Sequence, residues 1–476
     1  MTTTQQLAVR GAFWTLTGYG LSQILRLGSN LVLAWLLFPE AFGLMALVTV
    51  FLQGLQMTSD IGLGPSIIQN KQGTDPVFLR TAWTLQILRG LLLWLIAWLL
   101  AQPVADFFAA NDPMAGMLAD ILPIIGLTAL IDGFASTGIH LLNRQLAMAR
   151  LVALDLLSSL ISYAVIILWA WLNPEIWAIV AGGLTYSLVR TLLSHVWNPG
   201  VRDRLGWDGD AFRELFHFGR WVFLSTLVTF LARNLDRLML GKFVAMTQLG
   251  IYSLAMTFAQ VAIQVAVQLS AKVLFPLLSR LQDDPERLVN ACLRARRPVL
   301  WLSGAFCSSF ALIAPLFFDT LYDDRYAEAG TLAQWLSLYV WTHILLVSMD
   351  RIPLSLGHPR ALFVANLATT LTLPLALPGY WYLGLPGFIL GMTLANLVAL
   401  GYLILTLPCG RAPMTWQSIL FSLGFLLYTL PLILLLKDPH LFGSPLLQAG
   451  MVILAASLPP LAGIGYTWKA LRSRAG

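Results

Sequence analysis

Apolar residues fall in runs of about 20 that recur along the whole chain, each long enough to cross a hydrocarbon core of about 30 Å. In that medium every backbone polar group must be satisfied within its own segment, so each run is expected to be a helix. The runs place spans near 13–37, 41–57, 82–101, 118–138, 151–171, 176–194, 219–241, 249–270, 299–318, 331–349, 361–381, 384–407, 417–436 and 445–467. The expected fold class is therefore an all-α polytopic membrane protein of about fourteen transmembrane helices. Four acid- or amide-proline pairs, Asp75-Pro76, Asp112-Pro113, Asn173-Pro174 and Asp284-Pro285, are expected to start helices. The first residue of each pair caps, and the proline fits the first turn.

Composition agrees with this pattern. Of 476 residues, 58% are hydrophobic and only 11% charged, against about 25% charged in a typical soluble domain. The first run is too long for a signal-peptide core and carries Gln23, Arg26 and Asn30, so it is expected to stay as the first span. Cys292, Cys307 and Cys409 fall in two cytoplasmic segments and one helix of this map, which argues against disulfides.

The net charge of +6 would suit a nucleic-acid partner, but its distribution points elsewhere. With the N-terminus inside, cytoplasmic segments hold 22 of the 29 lysines and arginines and the opposite loops only Lys242, Arg325 and Lys437. Arg26, Arg89, Arg233 and Arg237 lie within spans. This is a positive-inside bias, and it places both termini in the cytoplasm. No nucleic-acid partner is expected.

The chain repeats itself. A shift of 207 residues lays Trp14–Gln53 on Trp221–Gln260 without a gap, pairing Arg26 with Arg233, Gly43 with Gly250 and Gln53 with Gln260. Both segments begin at odd-numbered spans, so the repeats run in the same direction. The expected domains are an N-lobe over 1–200 (spans 1–6), a C-lobe over 201–410 (spans 7–12) in a pseudo-two-fold relation to it, and two added helices over 411–476.

Polar residues inside the spans carry the candidate chemistry. On span 1, Tyr19, Ser22, Arg26 and Ser29/Asn30 share one face; on span 7, Thr226, Thr229, Arg233 and Asp236/Arg237 occupy the equivalent face. A charge at membrane depth costs about 2.5–3.5 kcal/mol on insertion scales, so it should face protein or water. Guanidinium groups offer a planar fork of donors to phosphate, which makes Arg26, Arg233 and Arg237 candidate ligands of an anionic head, with Asp236 as an orienting partner. The bland reading is mutual neutralisation of Arg233, Asp236 and Arg237 along one helix. A second stripe, Gln260, Gln264 and Gln268 with Gln53 and Gln56 on span 2, suits sugar hydroxyls, or else bonds neighbouring helices. Asp132 and Asp155, near cytoplasmic ends of spans 4 and 5, are candidates for Na+ or H+ coupling or are simply solvated; Arg89 and His343 stay open in the same way. Gly387 and Gly391 read as a packing seam.

A P-loop and a Cys/His metal pattern are both absent from the sequence, so no cofactor is expected. The acid pairs Asp283-Asp284 and Asp323-Asp324 read as a helix start and an acidic loop rather than as a catalytic centre.

Several segments resemble a known family. Leu37-Phe38-Pro39-Glu40-Ala41-Phe42-Gly43-Leu44, then Ser59-Asp60-Ile61-Gly62-Leu63-Gly64 and Ile67-Ile68-Gln69, are similar to the start of bacterial polysaccharide flippases. Asn234-Leu235-Asp236-Arg237, Leu249-Gly250-Ile251-Tyr252 and Phe275-Pro276-Leu277-Leu278-Ser279-Arg280 agree in the second repeat. The chain resembles the multidrug/oligosaccharidyl-lipid/polysaccharide (MOP) exporter superfamily, nearest to its colanic-acid and teichuronic-acid exporters. The resemblance covers most of the chain and weakens after about residue 410. It implies a non-enzymatic flippase of the bacterial inner membrane that moves undecaprenyl-diphosphate oligosaccharide outward by alternating access. Its partners would include the polymerase and glycosyltransferases of the same pathway. Two rivals stay open: a small-molecule or drug antiporter of the same superfamily, and a sugar-lipid polymerase or ligase.

Overall fold

Helices account for nearly all of the described chain in the computed structural model, which describes residues 3–58, 63–69, 73–197, 200–201, 203–209, 228–270, 278, 284–356, 358–407, 410–437 and 447–459. Thr226 and most of the Phe275–Arg280 motif lie outside them. Ten helices among the described residues are long and apolar enough to cross a membrane. Each falls on one of the expected spans. The other four expected spans also coincide with helices: Thr3–Leu36, Trp177–Val196, residues 228–243 and Leu447–Pro459. The protein is a multi-pass membrane protein, and its outer faces show it. Leu420, Leu427 and Leu434, seven residues apart on one helix, are 68%, 72% and 71% exposed. Such a stripe is tolerated where lipid is the solvent.

The chain divides into two compact units, Met1–Gly250 and Ile251–Gly476. In the first, α1 (Thr3–Leu36), α2 (Pro39–Thr58), α3 (Leu63–Gln69) and α4 (Pro76–Ala109) are followed by α5 (Leu118–Gly133), α6 (Gly138–Arg144), α7 (Met148–Leu172) and α8 (Trp177–Val196). Next come α9 (228–243) and the start of α10 (Met246–Leu269). In the second unit, α11 (Pro285–Leu321), α12 (Glu328–Val347), α13 (Arg351–Ser355), α14 (Pro359–Thr372), α15 (Ala376–Leu383), α16 (Leu385–Leu405) and α17 (Arg411–Lys437) lead to α18 (Leu447–Pro459).

Local chemistry sets most of the helix starts. Asp75, Asp112 and Asp284 cap their helices as expected, accepting from the backbone N–H groups of Val77, Met114 and Arg287. Asn173-Pro174 does not. Asn173 instead closes α7, its N–H donating to Trp169 O at 2.7 Å, and α8 begins three residues later at Trp177. A capping residue already engaged at the end of one helix leaves the next to start where the chain has turned. Asp323 likewise has a structural task. It accepts from the Arg325 backbone at 3.1 Å and caps a 3-10 turn, and the Arg325 hydrogen bonds hold its carboxyl below the usual carboxylate range.

The repeat is visible where its two copies touch inside the first unit. A Cβ on Gly43 would overlap the Met246 carbonyl, and one on Gly250 would overlap the Pro39 carbonyl. Pro39 and Met246, like Gly43 and Gly250, are matched by the 207-residue shift. The matched pair Glu40 and Thr247 also meets, the Thr247 hydroxyl donating to Glu40 at 2.6 Å. Only glycine permits this backbone-to-backbone crossing of α2 and α10. Asp112 fastens the same corner by accepting from Met246 N at 2.8 Å, and Asn111 donates to Val244 O at 3.2 Å. In the second unit Gly387 and Gly391 form the expected seam, against Gly379 and Ala376 of α15.

Candidate functional site

Three polar centres lie inside the two units, and they differ in how fully their hydrogen-bonding groups are used. The first is the inner face of α1. The helix is brought close to α7 at Gly18, which packs on Val152. Tyr19, Gln23, Arg26 and Ser29 then line up at three- and four-residue steps. The Tyr19 hydroxyl, Gln23 Oε1, Arg26 Nε and Nη2 and Ser29 Oγ are all buried without a hydrogen-bond partner. Ser22 has turned inward on its own helix, donating to Tyr19 O at 2.9 Å. Native proteins satisfy nearly all buried polar groups, because each orphan costs about 1–3 kcal/mol. Five such atoms on one helical face mark a surface built for polar company. Arg26 also acts electrostatically on the Tyr163 hydroxyl of α7.

The second centre gathers Asp132 of α5, Asp155 of α7 and Arg190 of α8. Arg190 Nε pairs with Asp155 Oδ1 at 3.1 Å, while Asp132 interacts with Arg190 electrostatically and accepts a hydrogen bond from Ser187. Tyr186 lies within electrostatic reach of both acids, of Arg190 and of Tyr163. The end of α5 is held in place by Gln86, whose amide donates to the carbonyls of Asp132, Gly133 and Ala135 at 3.1, 3.2 and 3.0 Å. Beside it lies a cavity of about 520 Å³ lined by Gln56, Arg89, Asp132, His140 and Arg190 among others. Arg89 donates to Gln56 O at 2.7 Å.

The third centre belongs to the second unit. Arg296, counted among the cytoplasmic loop charges on sequence, lies within α11 and is fully buried. α11 starts at Pro285, well before the apolar run, and so draws this arginine into the bundle. Its Nε donates to Ser348 Oγ at 2.7 Å; its terminal nitrogens reach Ser418 Oγ at 3.1 Å, Leu345 O at 3.3 Å and Gln417 Oε1 at 3.4 Å. Cys292 is buried nearby on the same helix.

The remaining candidates are placed as follows. Asn30 is half-buried on α1. Arg233 is exposed, Arg237 half-buried and Asp236 buried on α9, which packs on α2 through Phe230 against Gly54. Arg233 and Arg26 form no hydrogen bond or ion pair with each other. Gln53 on α2 and Gln260 and Gln268 on α10 are half-buried and Gln264 is exposed, and none of the four makes a hydrogen bond among the described residues. The interhelical bonding considered for them is therefore not made there. His343 faces Asn396 of α16 at 3.4 Å. Gln23, Tyr163, Tyr186, Arg190 and Arg296 were not singled out on sequence. Gln23 was legible by its four-residue spacing from Tyr19; the tyrosines carry no local signal.

Taken together, these features define a multi-pass helical transporter fold with cationic side chains inside it. The chain is similar to the solved structure of the lipid II flippase MurJ in an inward closed conformation, with a TM-score of 0.73 at 14% identity, over 97% of this chain and 99% of that one. It is also similar to an inward-facing multidrug resistance MATE family transporter of the MOP superfamily, with a TM-score of 0.63 at 15% identity, over 84% and 94%. At such identities the likeness speaks to fold. Residues 32–331 match the family described as "Polysaccharide biosynthesis protein", and the chain belongs to that family. It is 25% identical over 295 residues to the lipopolysaccharide biosynthesis protein WzxC of Escherichia coli (strain K12), covering 60% of this chain and 57% of that protein. It is 21% identical over 309 residues to the teichuronic acid biosynthesis protein TuaB of Bacillus subtilis (strain 168), covering 65% and 63%. The matches thus span about six tenths of these relatives' length. The expected resemblance to the polysaccharide exporters of the MOP superfamily is borne out.

Proposed function

We propose that this chain is a flippase that moves undecaprenyl-diphosphate-linked oligosaccharide from the cytoplasmic to the outer leaflet of the bacterial inner membrane, for surface polysaccharide synthesis. The observation that carries the reading is the α1 face, where Arg26 holds two buried, unpartnered N–H groups beside Tyr19, Gln23 and Ser29. A diphosphate offers the acceptors that such a guanidinium lacks, in the bidentate geometry it prefers. Arg233 and Arg237 are the cations of the second repeat, with Asp236 beside them, and Asn30, Gln53, Gln260, Gln264 and Gln268 supply amides for sugar hydroxyls. Family membership and the names of WzxC, TuaB and the succinoglycan biosynthesis transport protein ExoT of Rhizobium meliloti (strain 1021) support the polysaccharide assignment. The two lobes alternate access while the polyprenyl tail stays in lipid. Outward passage of negative charge gains about 2.3 kcal/mol per charge per 100 mV of membrane potential. Na+ or H+ coupling resets the cycle, and both termini are cytoplasmic.

An antiporter of cationic drugs would be served by acids at these positions, and the α1 face carries an arginine. As a transporter the protein carries out no glycan chemistry of its own. Proteoliposomes holding the full chain and a defined lipid-linked oligosaccharide test the reading by headgroup accessibility across the bilayer. Translocation above protein-free vesicles, lost in Arg26→Ala, is expected. No translocation of any diphosphate-linked glycan, or elongation of the glycan when a sugar donor is added, would overturn it.

A further inference from the structure

Asp132 and Asp155 come from different helices and converge on one arginine. In this structure Arg190 Nε pairs with Asp155 Oδ1 at 3.1 Å, so α8 is tied to α7. Asp132 is left with Ser187 as hydrogen-bond donor and with a buried Oδ1 that has no partner. That oxygen belongs to a residue lining the cavity of about 520 Å³. The groups around it are Arg190 and Tyr186 from α8, Arg89 from α4 and His140 from α6, with Asp155 of α7 on the far side of Arg190. α2 contributes the uncharged Gln56.

This setting selects among ligands. A hard metal cation gathers about six or more oxygens, and none of the described residues form a group of three acids, histidines or cysteines that would hold one. Two guanidinium groups in the same cavity also repel it. A proton needs one oxygen. With both acids ionised the four charges of Arg89, Arg190, Asp132 and Asp155 cancel, and protonation leaves the cluster at plus one.

We propose that Asp132 is a proton-binding site, and that its proton decides whether Arg190 ties α8 to α7 or to α5. Hydronium gives its proton to Oδ1 and leaves as water; one O–H bond forms and nothing else changes covalently. The neutral acid releases its claim on Arg190, which stays with Asp155 as seen here. Loss of the proton restores the competing carboxylate and draws Arg190 toward α5. Tyr186 and Tyr163 connect this cluster electrostatically to Arg26, so the proton is sensed at the α1 face. That last consequence rests on the flippase reading; the proton site does not.

The test uses the purified full chain in nanodiscs, with infrared difference spectra between about pH 8 and about pH 5. A protonated-carboxyl band is expected in the wild type and in Asp155→Asn, lost in Asp132→Asn and displaced in Asp132→Glu. Survival of the wild-type band in Asp132→Asn overturns the proposal, as does its loss in Asp155→Asn. Should Asp132→Asn fail to insert, an undisplaced band in Asp132→Glu overturns it equally. In proteoliposomes, translocation should vary about tenfold across the same window in the wild type and less than about twofold in Asp132→Asn. A wild-type pH profile in that variant also overturns it. Absence of any wild-type translocation counts against the flippase reading and leaves the infrared result to decide the proton site.

Discussion

Arg26 and Arg296 are both arginines placed within helical bundles of a membrane protein, one in each unit, and they are treated in opposite ways. Arg296 is enclosed by four neutral acceptors from α12 and α17, with no carboxylate among its hydrogen-bond partners. Its charge is met by the side chains of Ser348, Gln417 and Ser418 and one backbone carbonyl, and it joins α11 to both neighbouring helices. Arg26 has two shielded N–H groups and nothing to give them to. The difference separates a structural cation from a functional one. A satisfied buried charge holds a fold together, whereas an unsatisfied one is tolerated only where something else supplies the missing acceptors.

The comparison is open to direct attack. Arg26→Ala should give the largest functional loss, about a hundredfold in translocation per inserted molecule, the scale of removing a buried charged contact worth about 2–5 kcal/mol. Its melting temperature should stay near wild type, because no intramolecular bond is lost. Arg26→Lys should recover only part of the rate, since a point charge cannot reproduce the guanidinium fork. Arg296→Met should do the reverse, lowering stability by about 3 kcal/mol in a detergent melting assay through four lost hydrogen bonds, with translocation per folded molecule kept. Equal stability losses in Arg26→Ala and Arg296→Met would erase the distinction. Gly250→Ala should cost about 1–3 kcal/mol by forcing α10 off the Pro39 carbonyl. The smallest effect is expected for Gln264→Ala, an exposed amide without a hydrogen bond, at under about 1 kcal/mol in stability.

How much of this was legible in the chain varies by residue. The stripe of Tyr19, Arg26 and Ser29 was readable because a helix repeats every three to four residues and the membrane forbids idle charge. Asp132 and Asp155 were visible singly as acids near span ends, but nothing in their sequence spacing announced a shared arginine. Arg190 and Arg296 both counted toward a topology rule that treats every arginine outside a span as solvated. The rule is blind to how far a helix continues past its apolar run. Asn173 followed the same capping pattern as Asp75 and was used differently, because the preceding helix claimed its backbone first.

The sequence by itself determined that the chain lives in a membrane, where its helices fall and that one helix-bearing segment is duplicated, since these follow from hydropathy and from residue-by-residue spacing. The tertiary structure decided which charges are spent and which are left over. It also brought Gly43 against Gly250 and two acids onto one arginine. Hydrogen-bond satisfaction is a property of neighbours distant in the chain, and only packing makes them neighbours.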